Sequence, residues 1–446
     1  MAQLKATYKE IFQIATPLIL GNVAWTFNGV FDTIFVGNLG KVELDAIGFA
    51  SVFYSVLFMM GFSFTRGTQL LIARRMGEGN KKEVGNIFDN TIITLLSVSV
   101  VMFVLIKIYS HSILTFMLHN HDIITACDEF LNYRMWGLVP SYLSFIFIAF
   151  YSGIGKTQVL SVSIVIMTVL NIVLNYGLVY GQFGLPQMGI GGSGMATSIS
   201  ETIAIGVMFL GTLYKGRKNE FFIFRFVKFD TVLLQQMVKI SFPLMLQALV
   251  AVGGWLIFFA RIETTLGKDA LAVSSIYRQL ILFFTIPTWS LGSTANTIIS
   301  NLVGQKNSSE IGVAVRRISV VSLGFAVFSS LLIYLFPDFC IGIFINKFDS
   351  ASLLPVAKQS LPVIFVIFIL MSFSNIVFNG VISVGDIFIA LGIEVVVVIL
   401  YIGYFMVILN QPWANLWWVW TAEWVYWLAM FAGSMLFFRH KHLDIV

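Results

Sequence analysis

The sequence predicts an all-α integral membrane protein with twelve transmembrane helices, arranged as two six-helix lobes related by a pseudo-two-fold axis along the membrane normal. Three observations carry this. First, 58% of the 446 residues are hydrophobic and only 11% are charged, too few charges to cover a soluble surface of that size, so the bilayer is the solvent. Second, apolar stretches of about 20 or more residues recur along the chain, each long enough at ~1.5 Å per residue to cross a hydrocarbon core of ~30 Å. Third, the two halves repeat one another. The strict alternation over about ten residues that marks barrel strands is absent.

In order, the spans read as approximately 11–39, 45–73, 86–108, 130–152, 158–181, 191–214, 234–265, 270–301, 314–336, 356–382, 387–409 and 414–438, each end set to within about four residues. The first, ATYKEIFQIATPLIL, runs into helix without a small-residue cleavage pattern, so no removable signal peptide is expected. Basic residues concentrate in the even-numbered connections and tails, among them Lys5, Arg74, Arg75, Lys81, Lys82, Lys156, Lys215, Arg217, Lys218, Arg225, Lys228, Arg316, Arg317 and Arg439. The odd-numbered connections hold chiefly Lys41, Lys268, Lys347 and Lys358. Both termini are therefore expected in the cytoplasm of a cell whose plasma membrane holds the protein. The net charge of +5 is an orientation signal and gives no reason to expect a nucleic-acid partner.

A shift of 226 or 227 residues aligns Pro17 with Pro243, Leu39-Gly40-Lys41 with Leu266-Gly267-Lys268, Gly153 with Gly380, and GEGNKKEVG (77–85) with GQKNSSEIG (304–312). Six spans per half preserve orientation, so the repeats are parallel, and transporters of that kind place substrate between halves that rock against each other. The expected organisation is a lobe at 1–213, a cytoplasmic linker at 214–231 around YKGRKNEFFIFRFVKFD, and a lobe at 232–446.

FDTIFVGNLG in the first helix, GEGNKKEVG with its echo GQKNSSEIG, and the turns at 153–156 and 380–386 together resemble the multidrug and toxic compound extrusion (MATE) family over essentially the whole chain. The resemblance implies a secondary antiporter that exports amphiphilic organic cations in exchange for protons or sodium. It implies no enzyme activity and no cofactor beyond the coupling ion. A monomer in contact with membrane lipid is expected.

A charged residue inside a span costs several kcal/mol, which makes each a functional candidate. Counted from the outer helix ends at ~1.5 Å per residue, Asp32 lies about 13 Å deep, Asn175 about 10 Å, Asn171 about 16 Å and Glu201 about 15 Å. They reach a common depth in the first, fifth and sixth helices of one lobe. Asp32 stands where the family's prokaryotic members carry a first-helix acid that accepts the proton or cation. The family's fifth-helix N-x-x-x-D reads NIVLN here, so Asn171 is kept and Asn175 replaces the acid. Glu201 is then the candidate second carboxylate, with the hydroxyls of Thr197 and Ser198 one turn earlier. A buried carboxylate can load a proton near neutral pH, while sodium would take an oxygen cage from Asp32, Asn171 and Asn175. The missing fifth-helix acid leans toward protons.

The second half differs. The counterpart of Asp32 is Phe258, and QALVAVGGW (247–255) lacks the seventh-helix Glu of the family's eukaryotic members, which argues for coupling in the first lobe only. Arg278, Glu394 and Glu423 also lie at span depth. Arg278 is expected to pair with Glu394 or Glu423, since an isolated intramembrane arginine is untenable; an acid left unpaired could receive the cationic part of a substrate. Aromatic and Met side chains suit flat cations, and PWANLWWVWTAEW (412–424) reads as an interfacial tryptophan belt. Pro140, Pro287 and Pro362 are candidate kinks. Cys127 and Cys340, near outer helix ends, give no inferable disulfide, and His111, His119 and His121 lack metal-site spacing.

Two rival functions stand against antiport. A flippase for lipid-linked precursors needs a cationic cavity, for which the sequence offers Arg278 as its deep arginine. An intramembrane enzyme needs a nucleophile with its base, or a metal cluster, at span depth.

Overall fold

Local signals set the helix ends in this computed structural model, which describes residues 3–226, 229–342, 354–355, 357–358 and 360–441; Lys228 and Lys347 of the charge pattern lie outside them. The helices are α1 (Tyr8–Gly37), α2 (Lys41–Gly77), α3 (Lys81–Met117), α4 (His121–Arg134), α5 (Leu138–Gly153), α6 (Gln158–Tyr180), α7 (Gly189–Tyr214) and the short α8 (Arg217–Phe221). They continue with α9 (Thr231–Leu266), α10 (Lys268–Phe284), α11 (Ile286–Gly304), α12 (Ser309–Leu335), α13 (Pro337–Gly342), α14 (Leu361–Val384), α15 (Ile387–Leu409), α16 (Leu416–Trp420) and α17 (Ala422–His440). Asn80 caps α3 by accepting the Glu83 N–H at 3.1 Å, and Asn120 caps α4 by accepting the Asp122 N–H at 2.9 Å. α6 stops at Gly181, whose φ of 70° is left-handed.

Ten helices among the described residues, with α4 and α5 counted as one, are long and apolar enough to cross a membrane. α10 and α11, bent by 47°, bring the number to eleven if the pair is one span, and α16 and α17 follow where the sequence places the twelfth. The bend falls at Thr285, just before Pro287, which has no N–H to continue the ladder. Pro140 follows a 3₁₀ turn at Met135–Gly137 that separates α4 from α5. Pro362 sits in the first turn of α14, where proline is tolerated, so it starts a helix and does not kink one.

The chain divides into two compact units. One is Thr16–Ser241; the other joins Met1–Ala15 to Phe242–Val446. The division falls inside α1 and α9, just ahead of the repeat-related Pro17 and Pro243. The linker around 214–230 thus belongs to the first unit, held there by Asp89. That buried carboxylate accepts the N–H groups of Phe224, Arg225 and Phe226 at 2.7, 2.8 and 2.9 Å, a backbone nest opened by positive φ at Phe222, Phe224 and Phe226. A Cβ on Gly85 would stand 2.0 Å from the Phe221 carbonyl, which explains the last glycine of GEGNKKEVG. Nearby, partial burial pushes the Glu220 carboxyl up, but hydrogen bonds from Arg217 and Lys81 outweigh it and hold the group below the ordinary carboxylate value. In the other unit the GQKNSSEIG turn holds the N-terminal segment: Gln305 donates to the Leu4 carbonyl at 3.0 Å, and the Leu4 N–H donates to Asn301 at 3.1 Å.

Asp89→Ala should therefore free the linker at a cost of about 2 kcal/mol, since hydrogen bonds to a charged group contribute about 1.5–3 kcal/mol each but the released N–H groups can find water. Limited trypsin digestion should then cut after Arg225 in the variant well before the parent; equal cutting would contradict the clamp.

The tryptophan cluster divides between two roles. Trp413 and Trp418 are exposed as an interfacial belt requires, whereas Trp420 is fully buried and donates to Ser274 at 3.1 Å. Both cysteines are buried and free.

Candidate functional site

Asp32 faces outward from no helix end; α1 carries it against α6 and α7 of the first unit. Asn175 donates its amide N–H to Asp32 Oδ1 at 2.7 Å, and the Thr197 hydroxyl donates to Oδ2 at 3.2 Å. Asn171 donates to Thr197 Oγ1 at 3.0 Å. Asn171 and Asn175 are wholly buried, and the amide oxygen of each lacks a hydrogen-bond partner among the described residues. The four residues meet because Asn171 and Asn175 are one turn apart on one face of α6, and Thr197 lies beside them on α7. The depth count grouped Asp32, Asn171 and Asn175 with Glu201; the structure joins the first three through Thr197 and leaves Glu201 out.

Glu201 is elsewhere. Its two oxygens accept a fork from Arg134, at 2.7 Å from Nη2 and 2.8 Å from Nη1, and the Ser141 hydroxyl adds a third bond at 2.9 Å. Arg134 is sandwiched further by the Tyr54 ring, 3.9 Å from its guanidinium carbon. Glu201 is therefore a neutralised structural anion and not the free second carboxylate expected beside Asp32. Ser198 departs as well: its hydroxyl donates to the backbone carbonyls of Tyr133, Arg134 and Gly194 and so ties α7 to the end of α4. Gly137 has no room for a side chain here, because a Cβ would lie 2.2 Å from Arg134 Nη1 and 2.6 Å from Glu201 Oε2.

Arg134 was missed because the fourth span was read as starting at 130, which put the residue near the interface. The helix begins at His121, capped by Asn120, so Arg134 lies about 20 Å along it at ~1.5 Å per residue. The cap residue Asn120 was the available signal.

In the other unit, the expected pairing of Arg278 fails. Its side chain lies on the exposed face of α10 and sits over the Phe259 ring at 5.5 Å, with no carboxylate in salt-bridge reach among the described residues. The neighbouring Tyr277 and Leu280 take the buried face, so the helical phase turns Arg278 away from the acids. Glu394 instead accepts from the Tyr426 hydroxyl at 2.5 Å and from Gln247 at 3.3 Å. Phe258, the counterpart of Asp32, is buried among Tyr401, Phe405 and Trp420.

A bundle of membrane-crossing helices, built twice and holding a half-buried acid against two buried amides and a hydroxyl, defines a polytopic transporter. The chain belongs to the MatE family, which it matches over residues 17–177 and again over 243–407; the two matches start 226 residues apart, the offset of the internal repeat. It is similar to a probable multidrug resistance protein NorM of Thermotoga maritima, 24% identical with 75% of this chain and 72% of that one covered. It also resembles the probable multidrug resistance protein YoeA of Bacillus subtilis, 23% identical with 77% and 74% covered. Among solved structures, an outward-facing multidrug resistance MATE family transporter of the MOP superfamily superposes with a TM-score of 0.89 at 18% identity, covering 98% of this chain and 96% of that one. A MOP superfamily transporter from Pyrococcus furiosus, described as having a binding pocket of reversed polarity, gives 0.87 at 18% identity, with 97% and 95% covered.

Proposed function

We propose that this protein is a secondary antiporter that exports amphiphilic, mostly cationic organic compounds in exchange for protons, with Asp32 as the coupling residue. The observation that carries the reading is the Asp32 carboxylate, held inside the first unit by Asn175 and Thr197. The names of the relatives, multidrug resistance proteins, supply the substrate class. Protonation of Asp32 from outside favours substrate release outward, and deprotonation toward the cytoplasm resets the cycle; driver and substrate must differ in affinity for the two states. The distribution of Lys and Arg supports an orientation with both ends of the chain on the cytoplasmic side, and efflux of this kind belongs in the plasma membrane.

Sodium is the alternative driver. It would be held by Asp32 with the unpartnered oxygens of Asn171 and Asn175, a hard-oxygen set suited to the ion. Yet Asn175 presents its N–H, not its oxygen, to the carboxylate, so a cation there would require that amide to turn. This favours protons. A flippase reading finds less support, since Arg134 is already neutralised by Glu201 and Arg278 lies on an exposed helix face.

Purified protein in liposomes, with membrane potential clamped, should accumulate the permanent cation tetraphenylphosphonium when the interior is acid, and should not when only a sodium gradient is imposed. Accumulation on sodium alone would reassign the ion. Failure under both gradients would overturn antiport.

A further inference from the structure

The second unit buries two carboxylates that the coupling scheme above does not use. Glu394 on α15 and Glu423 on α17 are 2% and 3% exposed. The ion pairs of this unit are Lys358 with Asp338 and Lys441 with Asp386, so neither glutamate has a cationic partner among the described residues. Their surroundings are aromatic and neutral. Tyr401, Trp427 and Trp255 face Glu423, while Tyr426 faces both acids and donates to Glu394. From α9 come Gln247 and Trp255, and α14, packed on α17, brings no ionisable side chain at all. Tyr404 spends its hydroxyl on Thr421 at 3.0 Å.

Two ionised carboxylates in such a place are not tenable. An uncompensated charge in a dry interior neutralises itself by taking up a proton, and two acids that face one tyrosine repel each other when both are ionised. A second, independent feature marks the place as unfinished. The Tyr401 hydroxyl, on a residue 1% exposed, and the Trp427 indole N–H, on a residue 7% exposed, have no hydrogen-bond partner among the described residues, although both side chains face Glu423. They are donors aimed at a carboxylate and positioned to close on it when it ionises. Tyr426 and Trp255 are only half-buried, which gives the acids a short route to the surface of the unit.

We infer that Glu394 and Glu423 form a second exchangeable proton site, confined to the second unit, with its acids on α15 and α17 and supporting side chains from these helices and α9. Its logic complements the Phe258 substitution: the first helix of this half gives up the acid, and the last two supply a pair. When a proton leaves, Tyr401 and Trp427 hold the remaining charge on Glu423, and Tyr426 and Gln247 hold it on Glu394. The inference extends the proton-antiport reading but is tested without transport.

Infrared difference spectra of the full chain in nanodiscs read the carbonyl stretch of protonated carboxyl groups directly. Above about pH 6, where ordinary carboxylates with pKa near 4 are ionised, a protonated-carboxyl band should persist and then disappear on further alkalinisation. Glu394→Gln and Glu423→Gln should each remove part of the titrating band, and Asp32→Asn should leave that part in place. If either glutamine variant fails to fold, Tyr426→Phe and Tyr401→Phe leave both carboxyls present and should shift the band frequency. A band untouched by all four changes would overturn the site, and so would one that never titrates up to about pH 10. Loss of transport in Asp32→Asn, or its retention, bears on the antiport reading alone.

Discussion

Asp32→Asn should abolish gradient-driven accumulation of tetraphenylphosphonium while leaving a folded protein that elutes as the parent does. The two outcomes separate because of how the carboxylate is held. One oxygen accepts from Asn175 at 2.7 Å, and the carbonyl of an asparagine can keep that bond. The other accepts from Thr197, whose hydroxyl also donates to the Ser193 carbonyl at 3.0 Å; it can turn fully to Ser193 and accept from the new amide. The fold loses about 1 kcal/mol or less, the net contribution of an ordinary hydrogen bond. Exchange of a proton, by contrast, is lost outright, because an amide does not titrate. Coupling free energies of 1–3 kcal/mol correspond to roughly 5–150-fold in affinity, so the gradient-driven signal should fall by at least about tenfold. Undiminished accumulation would remove Asp32 from the mechanism.

The contrast between Asp32 and Glu201 shows what sequence could and could not locate. Depth along a helix is a one-dimensional quantity, fixed by ~1.5 Å per residue, and it grouped Asp32, Asn171, Asn175 and Glu201 at one level. Azimuth around the helix decides the partner. Glu201 lies one turn beyond Thr197 on α7, but its carboxylate goes to Arg134 of α4 and Ser141 of α5. Asn175 and Asp32 are joined by a hydrogen bond between residues 143 apart, a pairing that no local periodicity encodes.

The fold was more legible, for a reason that belongs to the solvent. A bilayer demands that each crossing segment satisfy its own backbone, so spans announce themselves as long apolar runs, and α3, α9, α14 and α15 could hardly be read otherwise. What escaped were the interfacial ends. α4 begins at His121 among polar residues, α3 continues to Met117, and the linker folds against α3 through Asp89 in a way that composition does not hint at. Pro17 and Pro243 were visible as repeat landmarks but not as unit boundaries, which the sequence reading set around a linker at 214–231; only packing reveals that the division falls at these helices and that residues 1–15 join the second unit.

Arg134→Met should destabilise the first unit severely, and Arg134→Met with Glu201→Met should recover most of the loss. The ion pair is bidentate and its side chains are 9% exposed on each partner. Removing the arginine alone leaves the Glu201 carboxylate buried with only Ser141 to serve it, and breaking such a pair from one side costs about 3–5 kcal/mol. It also strips the cation from the Tyr54 ring, worth about 0.5–2 kcal/mol more. Two apolar side chains of similar volume carry no desolvation penalty, so the double replacement is expected to be far milder than either single change. Thermal unfolding of the four proteins in one detergent, followed by the loss of the folded-protein peak, closes the cycle; a double variant milder than either single one requires a coupling at least as large as the smaller single loss, about 3 kcal/mol or more. Gly137→Ala should behave like Arg134→Met, since its methyl group would enter the space that the fork occupies. If instead both single replacements are harmless and transport alone fails, the pair belongs to the coupling machinery beside Asp32 and not to the frame that holds it.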